Sequence, residues 1–222
     1  MIGSYLRYLL QRKSKFSIHS PFVYEFMTKV VNDSGSNRDY DTLWRISRLL
    51  DGKNYPNRRR RKQGRLLYRM VRYFEPETVL TFGKLSALDT SALALGNLQT
   101  KVYLEQSSDF LETLNSMGVV NVNLIRHDSN EEEQYERLNT GFVYYSLDDF
   151  GEDSWNNLED GFAEVDEDVV LVFEGIHHSR HTEAAWEAIK ASEGVSISMD
   201  LYCVGLVFFR DGIEKQDFVL KY

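Results

Sequence analysis

The chain has 222 residues, 42% of them hydrophobic and 13% aromatic, which is enough for a substantial core and excludes a disordered protein. A net charge of −8 argues against a general nucleic-acid binder, and the single cysteine, Cys203, excludes an internal disulfide. No apolar run is long enough for a transmembrane helix, and the N-terminus does not have the pattern of a signal peptide. The sequence therefore predicts a soluble cytoplasmic protein.

The first 50 residues predict short helices separated by loops. Residues 4–12 form an amphipathic pattern with a basic end, which would pack on its own domain or on a second subunit. A membrane-surface helix is the alternative. Ser20 and Pro21 are suited to an N-cap and a first helical residue, and a further helix is predicted over residues 42–50.

The strongest positive cluster is the basic run of residues 58–62, RRRRK. Such a run can hold phosphates, but no aromatic residues alternate with the charges, which favours a solvated helix start or a linker. The helix continues over residues 64–74 and must end before Pro76. We therefore predict an N-terminal helical extension, residues 1–62, and an α/β domain, residues 63–222.

From residue 78 the pattern alternates between strands and helices. A first strand over residues 78–82 ends at Gly83, and a helix over about 89–96 follows, with Asp89 or Thr90 as its cap. At the C-terminal end of the chain, three β-rich runs have no helix between them and are predicted to pair antiparallel. They are residues 195–202, 204–210 and 217–222. Further strands are predicted at 101–105, 121–126, 141–146 and 168–173, and helices at 108–116 and 181–192.

These elements predict an α/β three-layer sandwich. Its Rossmann-like sheet would have seven mostly parallel strands and an antiparallel C-terminal hairpin, and the N-terminal helices would lie outside it. In such a sheet, ligands bind beyond the carboxyl ends of the strands. The residues at those ends are therefore the candidates for a functional site.

Four strand-end residues have chemistry of interest. Glu105 would accept hydrogen bonds from two ribose hydroxyls, although glutamate at a strand end is also ordinary surface. Asp128 would accept from an adenine amino group, or form an Asx turn. Glu174 and His177 would form an acid–base pair, or belong to a polar loop kept after activity was lost. His177 and His181 are four residues apart, but they straddle a strand end and a helix start, so no metal site is predicted.

Five segments of the sequence resemble class I S-adenosylmethionine-dependent methyltransferases, most closely a small bacterial, Bacteroidetes-type group of O-methyltransferase-like proteins. The resemblance covers nearly the whole chain, and the antiparallel end of the sheet is typical of that fold. The segments are residues 19–24 (HSPFVY), 63–71 (QGRLLYRMV), 170–180 (VLVFEGIHHSR), 185–190 (AWEAIK) and 200–210 (DLYCVGLVFFR).

The resemblance implies a set of functional residues. Gly83, Ser86, Glu105 and Asp128 would contact S-adenosylmethionine, with Glu105 at the ribose and Asp128 at the adenine. Glu174 or His177 would be the catalytic base. The aspartate pair that includes a metal ligand in cation-dependent relatives is replaced at positions 174 and 175, so no metal is expected.

The cofactor motif departs from the family pattern. Relatives end the first strand with an acid followed by x-G-x-x-x-G, and this sequence has Thr81 in place of the acid and Ala87 in place of the second glycine. Lys84 and Leu85 stand where small or hydroxyl residues are usual. These departures imply weakened or lost binding of the cofactor.

Two functions remain open from the sequence. One is S-adenosylmethionine-dependent methyl transfer to an unknown small molecule, as an O-methyl transfer. The other is a catalytically inactive methyltransferase fold that binds a protein partner through residues 58–62 and 148–168. A homodimer through the N-terminal helices is a further expectation, and no nucleic-acid partner is expected.

Overall fold

The computed structural model describes residues 2–35, 37–50, 56–104, 108–125, 141–149 and 165–222. The chain forms two compact units, which we name the central unit, Asp33–Gly141, and the terminal unit, Met1–Asn32 together with Phe142–Tyr222. The boundary predicted at residue 62 was placed by the change in sequence pattern, whereas the two units are defined by contacts. That boundary stays a prediction.

Seven α-helices and eight strands lie within the described residues. The helices are α1 (Ile2–Gln11), α2 (Pro21–Phe26), α3 (Asp39–Leu50), α4 (Arg58–Phe74), α5 (Ala87–Gly96), α6 (Ser108–Ser116) and α7 (Arg180–Ala191). The strands are β1 (Thr78–Phe82), β2 (Lys101–Leu104), β3 (Val122–Leu124), β4 (Phe142–Ser146), β5 (Val170–Glu174), β6 (Ile197–Asp200), β7 (Val204–Phe208) and β8 (Gln216–Val219).

The central unit contains three parallel strands, because β1 pairs with β2 and β2 pairs with β3.

The basic run forms the first turn of α4. The side chain of Asn57 caps the helix by accepting a hydrogen bond from the Arg60 amide at 3.0 Å. This agrees with the predicted helix start. The helix ends at Phe74, and Glu75 takes a left-handed conformation with φ of 48° directly before Pro76.

Two glycines bring α4 and α5 close together. A Cβ atom at Gly64 would lie 3.0 Å from Leu88 Cδ1. A Cβ atom at Gly96 would lie 2.7 Å from the carbonyl oxygen of Tyr68 and 2.8 Å from Val71 Cβ. The apolar side of α4 and all but one residue of α5 are buried, in keeping with this close approach.

The terminal unit contains the other five strands. Strand β4 pairs parallel with β5, and β7 pairs antiparallel with both β5 and β6, which forms the predicted C-terminal hairpin. Strand β8 was expected to be antiparallel, and this is wrong, because it pairs parallel with β6. The reason is that the chain between β7 and β8 reverses direction and also passes over β6, so β8 runs in the same direction as β6.

Helix α1 packs on its own unit, which is one of the two arrangements predicted for residues 4–12. The Tyr8 hydroxyl donates to the carbonyl oxygen of Leu220 at 2.6 Å and accepts from the Tyr222 amide at 3.0 Å. Burial raises the pKa of Tyr8 to about 12. Beyond the helix, Lys13 forms a backbone bridge with Leu220, which ties the N-terminal segment to the end of β8.

The architecture is α/β, with mostly parallel strands and an antiparallel C-terminal hairpin, as predicted. The eight strands correspond to the eight β segments identified in the sequence, one more than the seven predicted for the sheet. Ser20 caps α2 with Pro21 as its first residue, in agreement with the sequence pattern. Of the acidic segment 148–168, residues 150–164 lie outside the described part of the chain. No helix in the described ranges is long and apolar enough to cross a membrane.

Candidate functional site

The turn after β1, where the cofactor motif was expected, has a defined geometry in the central unit. Gly83 has φ of 83°, a left-handed conformation that favours glycine. Lys84 is exposed, whereas Leu85 is buried. Ala87, at the position where the resemblance implies a second glycine, starts α5 and does not have a positive φ.

Ser86 caps α5, which corrects the predicted cap at Asp89 or Thr90. The Ser86 hydroxyl accepts from the Asp89 amide at 3.2 Å and donates to Asp89 Oδ2 at 2.6 Å. A serine followed three residues later by an acid is a helix-start pattern, and it could have identified this cap in the sequence. The helix therefore begins two residues earlier than predicted.

Arg60 of α4 completes a polar cluster with these two side chains. Its Nη2 atom donates to Ser86 Oγ at 2.7 Å and to Asp89 Oδ2 at 2.5 Å. The Asp89 side chain is 0% exposed, and that of Arg60 is 33% exposed. We name this arrangement the Arg60 cluster, and its members are Arg60, Ser86 and Asp89. A buried carboxylate is stable in this position because a cation and the helix N-terminus both compensate its charge.

Thr81 lies near the end of β1, at the position where the resemblance implies an acid. Its hydroxyl donates to the carbonyl oxygen of Tyr103 at 3.0 Å, and the side chain is fully buried. The threonine therefore joins β1 to β2 through a hydrogen bond. Of the other predicted cofactor-binding residues, Glu105 and Asp128 lie outside the described residues.

The terminal unit holds the predicted catalytic residues. Glu174 is the last residue of β5, one position later than the predicted strand end, and it is buried. The hydroxyl of Tyr144 donates to Glu174 Oε2 at 2.8 Å. The partner strand places Ser146 opposite Glu174, so both lie at the carboxyl ends of parallel strands.

His177 is held by two carboxylates. Its Nε2 atom lies 2.7 Å from Asp200 Oδ2, while its Nδ1 atom lies 3.4 Å from Glu183 Oε1, an ion-pair distance rather than a well-formed hydrogen bond. The ring stacks on Tyr202 with 5.2 Å between centroids. Tyr202 in turn contacts Tyr5 and Tyr8 of α1, with centroid distances of 5.0 and 5.1 Å. His177 thus links the start of α7, the end of β6 and α1.

These contacts give His177 an altered pKa. Burial lowers the pKa, but the hydrogen bond and charge of Asp200, followed by those of Glu183, outweigh it and raise the pKa above its ordinary value of 6.5. A hydrogen bond from Ser4 is the main influence that lowers the pKa of Glu183, and the charge of His177 adds to it. The protonated imidazole is therefore favoured in the folded protein.

This arrangement predicts a pH dependence of stability. Because the pKa of His177 is higher in the folded state, its contribution is fully present below about pH 6.5 and is lost as pH rises through the folded-state pKa. We expect His177→Gln to lower the free energy of unfolding at both pH values. The loss should be larger at about pH 6 than at about pH 8.5. Urea unfolding at both pH values measures this difference. His178→Gln is the matched control, and an equal pH dependence in the two variants would contradict the prediction.

His178 is the second histidine after β5. From the sequence it belongs to the cluster of His177, His178 and His181, and no catalytic role is predicted for it. Its Nδ1 atom lies 2.7 Å from Oδ2 of Asp148, which follows β4. The His178 side chain is 37% exposed, whereas that of His177 is 14% exposed. Gly175, with φ of 83°, makes the turn that brings His178 to Asp148. A carboxylate-oriented, solvent-accessible imidazole is suited to proton transfer.

Within the described ranges, no group of three or more His, Cys, Asp or Glu side chains is arranged to hold a metal ion. His181, considered with His177 as a metal pair in the sequence, lies within α7, whereas His177 precedes it. Each unit therefore holds its own candidate site. That of the central unit is the Arg60 cluster. That of the terminal unit is the Asp148–His178 pair, with Glu174 and His177 close to it in sequence.

No protein-family model and no curated protein matches the chain. Solved structures do resemble it. The methyltransferase PaMTH1 of Podospora anserina, crystallised with SAH bound, has 12% identity and a TM-score of 0.56 over 87% of this chain and 98% of that chain. A methyltransferase from Geobacter sulfurreducens has 14% identity and a TM-score of 0.56, over 86% and 97% of the two chains. The O-methyltransferase TomG of Streptomyces achromogenes, in complex with SAM, has 16% identity and a TM-score of 0.51, over 84% and 94%. Similarity at such low identity concerns the fold.

Proposed function

We propose that this chain, which has the fold of class I S-adenosylmethionine-dependent O-methyltransferases, is a homologue that has lost efficient methyl transfer and acts as a binding protein. The observation that carries this proposal is the Arg60 cluster. It lies at the turn after β1, where the resemblance implies the cofactor, and its hydroxyl and carboxylate are already hydrogen-bonded to each other and to a cation.

The hydrogen bonds of the cluster oppose binding. A cofactor that recruits Ser86 would displace hydrogen bonds to Arg60 and Asp89, and Asp89 is fully buried. A hydrogen bond to a charged group contributes about 1.5–3 kcal/mol, so the exchange brings little net gain. The turn is therefore built as a self-contained part of the fold, and this supports a scaffold rather than a working cofactor site.

The charges around the turn after β1 also oppose binding of the cofactor. S-adenosylmethionine carries a cationic sulfonium, a cationic ammonium group and an anionic carboxylate, so its net charge is positive. Relatives place an acid at the position of Thr81, which is neutral and bonds to Tyr103, and the exposed Lys84 adds a positive charge after Gly83. Losing one charge-assisted hydrogen bond weakens binding by about 1.5–3 kcal/mol, which is roughly one to two decades of affinity.

The experiment is calorimetry with S-adenosylmethionine and S-adenosylhomocysteine, together with a transfer assay that uses labelled methyl donor and small hydroxylated acceptors. We expect dissociation constants no tighter than about the millimolar range, no turnover, and an affinity for S-adenosylhomocysteine at least equal to that for S-adenosylmethionine, since the former lacks the sulfonium charge. Lys84→Ser should strengthen binding of the charged donor.

Micromolar binding of S-adenosylmethionine that is abolished in Glu105→Ala would overturn this proposal. Glu112→Ala is the matched control, because Glu112 is an exposed glutamate on α6 of the same unit. Normal unfolding curves for both variants separate loss of the ligand from loss of the fold.

The Asp148–His178 pair favours a second candidate function, methyl transfer to a small hydroxylated molecule. The imidazole would take the proton from the acceptor hydroxyl as its oxygen attacks the methyl group, and Asp148, 2.7 Å away, would orient the ring. S-adenosylmethionine would supply the methyl group and leave as S-adenosylhomocysteine. Turnover that is lost in His178→Gln but kept in His177→Gln would establish this function in place of the first.

A further inference from the structure

The N-terminal segment, α1 together with the residues up to 16, has large apolar side chains that are exposed. We call them its outward face. The inward side of α1 is fixed by the hydrogen bonds of Tyr8 with residues 220 and 222 and by the contacts of Tyr5 and Tyr8 with Tyr202. Leu6 and Leu10, which are one helical turn apart, are 54% and 88% exposed. Phe16, beyond the end of the helix, is 82% exposed. Three large apolar side chains within eleven residues are therefore exposed on a segment that packs on its own unit.

The charge of this segment is opposite to that of the rest of the chain. Residues 1–24 contain two arginines and two lysines, at positions 7, 12, 13 and 15, and no aspartate or glutamate. The whole chain carries −8, so the remainder carries −12. Two acids act on α1: Glu183, which bonds to Ser4 and also faces Arg7 and His177, and Asp200, whose charge acts on Tyr8 of the inward side. Apolar side chains interspersed with cations are thus concentrated in one segment of an acidic protein.

We propose that this outward face of the N-terminal segment docks on an anionic lipid surface. Leu6, Leu10 and Phe16 would enter the boundary between headgroups and acyl chains, and the neighbouring cations would pair with anionic headgroups. The acidic remainder would be repelled by the same surface, and this selects one orientation of the protein. The docking is reversible and peripheral, since the helix has only ten residues and lies on its own unit.

The competing occupant is a second copy of the chain, as in the homodimer expected from the sequence. A two-fold contact through this face would bring its cations against the same cations of the partner, which is unfavourable. Three apolar side chains also offer only on the order of 400 Å², whereas a stable interface needs about 800 Å² per partner. Charge complementarity and area both favour a lipid surface.

The test is flotation of the full chain with vesicles of phosphatidylcholine alone or containing phosphatidylglycerol, at about 0.05 M and about 0.5 M salt. We expect binding to the anionic vesicles at low salt, at least tenfold weaker binding at high salt, and none to phosphatidylcholine alone. Leu6→Ser with Leu10→Ser should weaken binding at least tenfold, and Arg7→Gln with Lys13→Gln should weaken it by about tenfold.

Leu98→Ser with Val120→Ser is the matched control, because these aliphatic side chains of the central unit are 65% and 74% exposed. This variant should bind vesicles like the wild type. Equal binding of the Leu6/Leu10 variant and the wild type, or no binding of the wild type at low salt, would overturn the proposal. Sedimentation velocity provides the other decisive outcome: a dimer that the Leu6/Leu10 variant abolishes, without vesicle binding, would assign this face to a second copy.

Discussion

Asp89→Ala is expected to lower the free energy of unfolding by about 3–5 kcal/mol, the largest single-residue effect that we predict. The side chain of Asp89 is fully buried, and Oδ2 accepts from both Arg60 and Ser86. Removing the carboxylate leaves a half-buried guanidinium without this compensating charge. It also removes the negative charge at the start of α5, where the helix dipole favours it.

The matched control for this variant is Asp41→Ala. Both aspartates are the third residue of a helix in the central unit, but Asp41 of α3 is exposed and Asp89 is buried. The control keeps the dipole contribution and lacks the buried ion pair, so we expect it to cost no more than about 1 kcal/mol. Urea unfolding followed by circular dichroism measures both. Equal losses would show that the Arg60 cluster adds nothing to the ordinary effect of an acid at a helix start.

Gly96→Ala is expected to cost about 2–3 kcal/mol, although alanine ordinarily stabilises a helix by up to about 1 kcal/mol relative to glycine. The added Cβ would lie 2.7 Å from the carbonyl oxygen of Tyr68, which is backbone in the middle of α4 and cannot rotate away. The two helices must therefore separate, and tightly packed interiors resist such a shift.

Gly3→Ala in α1 is the control with the opposite sign. A Cβ atom at Gly3 would meet no other atom within 4 Å, so only the helix preference remains, and we expect a gain of about 0.5–1 kcal/mol. Thermal or urea unfolding compares the two variants. A neutral or stabilising Gly96→Ala would mean that α4 and α5 are not in the close contact that the structure gives them.

Much of the fold could be predicted because it depends on local patterns. The bounds of β1 and α6 match the predicted ranges, since each segment has a clear period and a glycine or proline near its end. The direction of β8 could not be predicted, because an apolar β run indicates a strand without indicating its neighbour. That choice is made by tertiary packing.

The candidate site was less predictable for the same reason. Ser86 has a local helix-start signal, but the partner that completes its cluster, Arg60, lies 26 residues earlier and on another helix. Adjacent histidines give no local indication of which one is buried. The left-handed turn at Gly175 sends His178 towards Asp148 and leaves His177 for Asp200. Such pairings exist only once the chain has folded.

The contact between Tyr8 and Leu220 joins residues 212 positions apart, and it has a consequence for the order in which the protein folds. The central unit, Asp33–Gly141, is continuous in sequence, so all of its contacts are available before β4 is made. The terminal unit combines Met1–Asn32 with Phe142–Tyr222, and the contacts of α1 are with Glu183, Tyr202 and the residues that follow β8. During synthesis, the first helix therefore stays without these contacts until the last quarter of the chain is made, and its docking is complete only with the final residues.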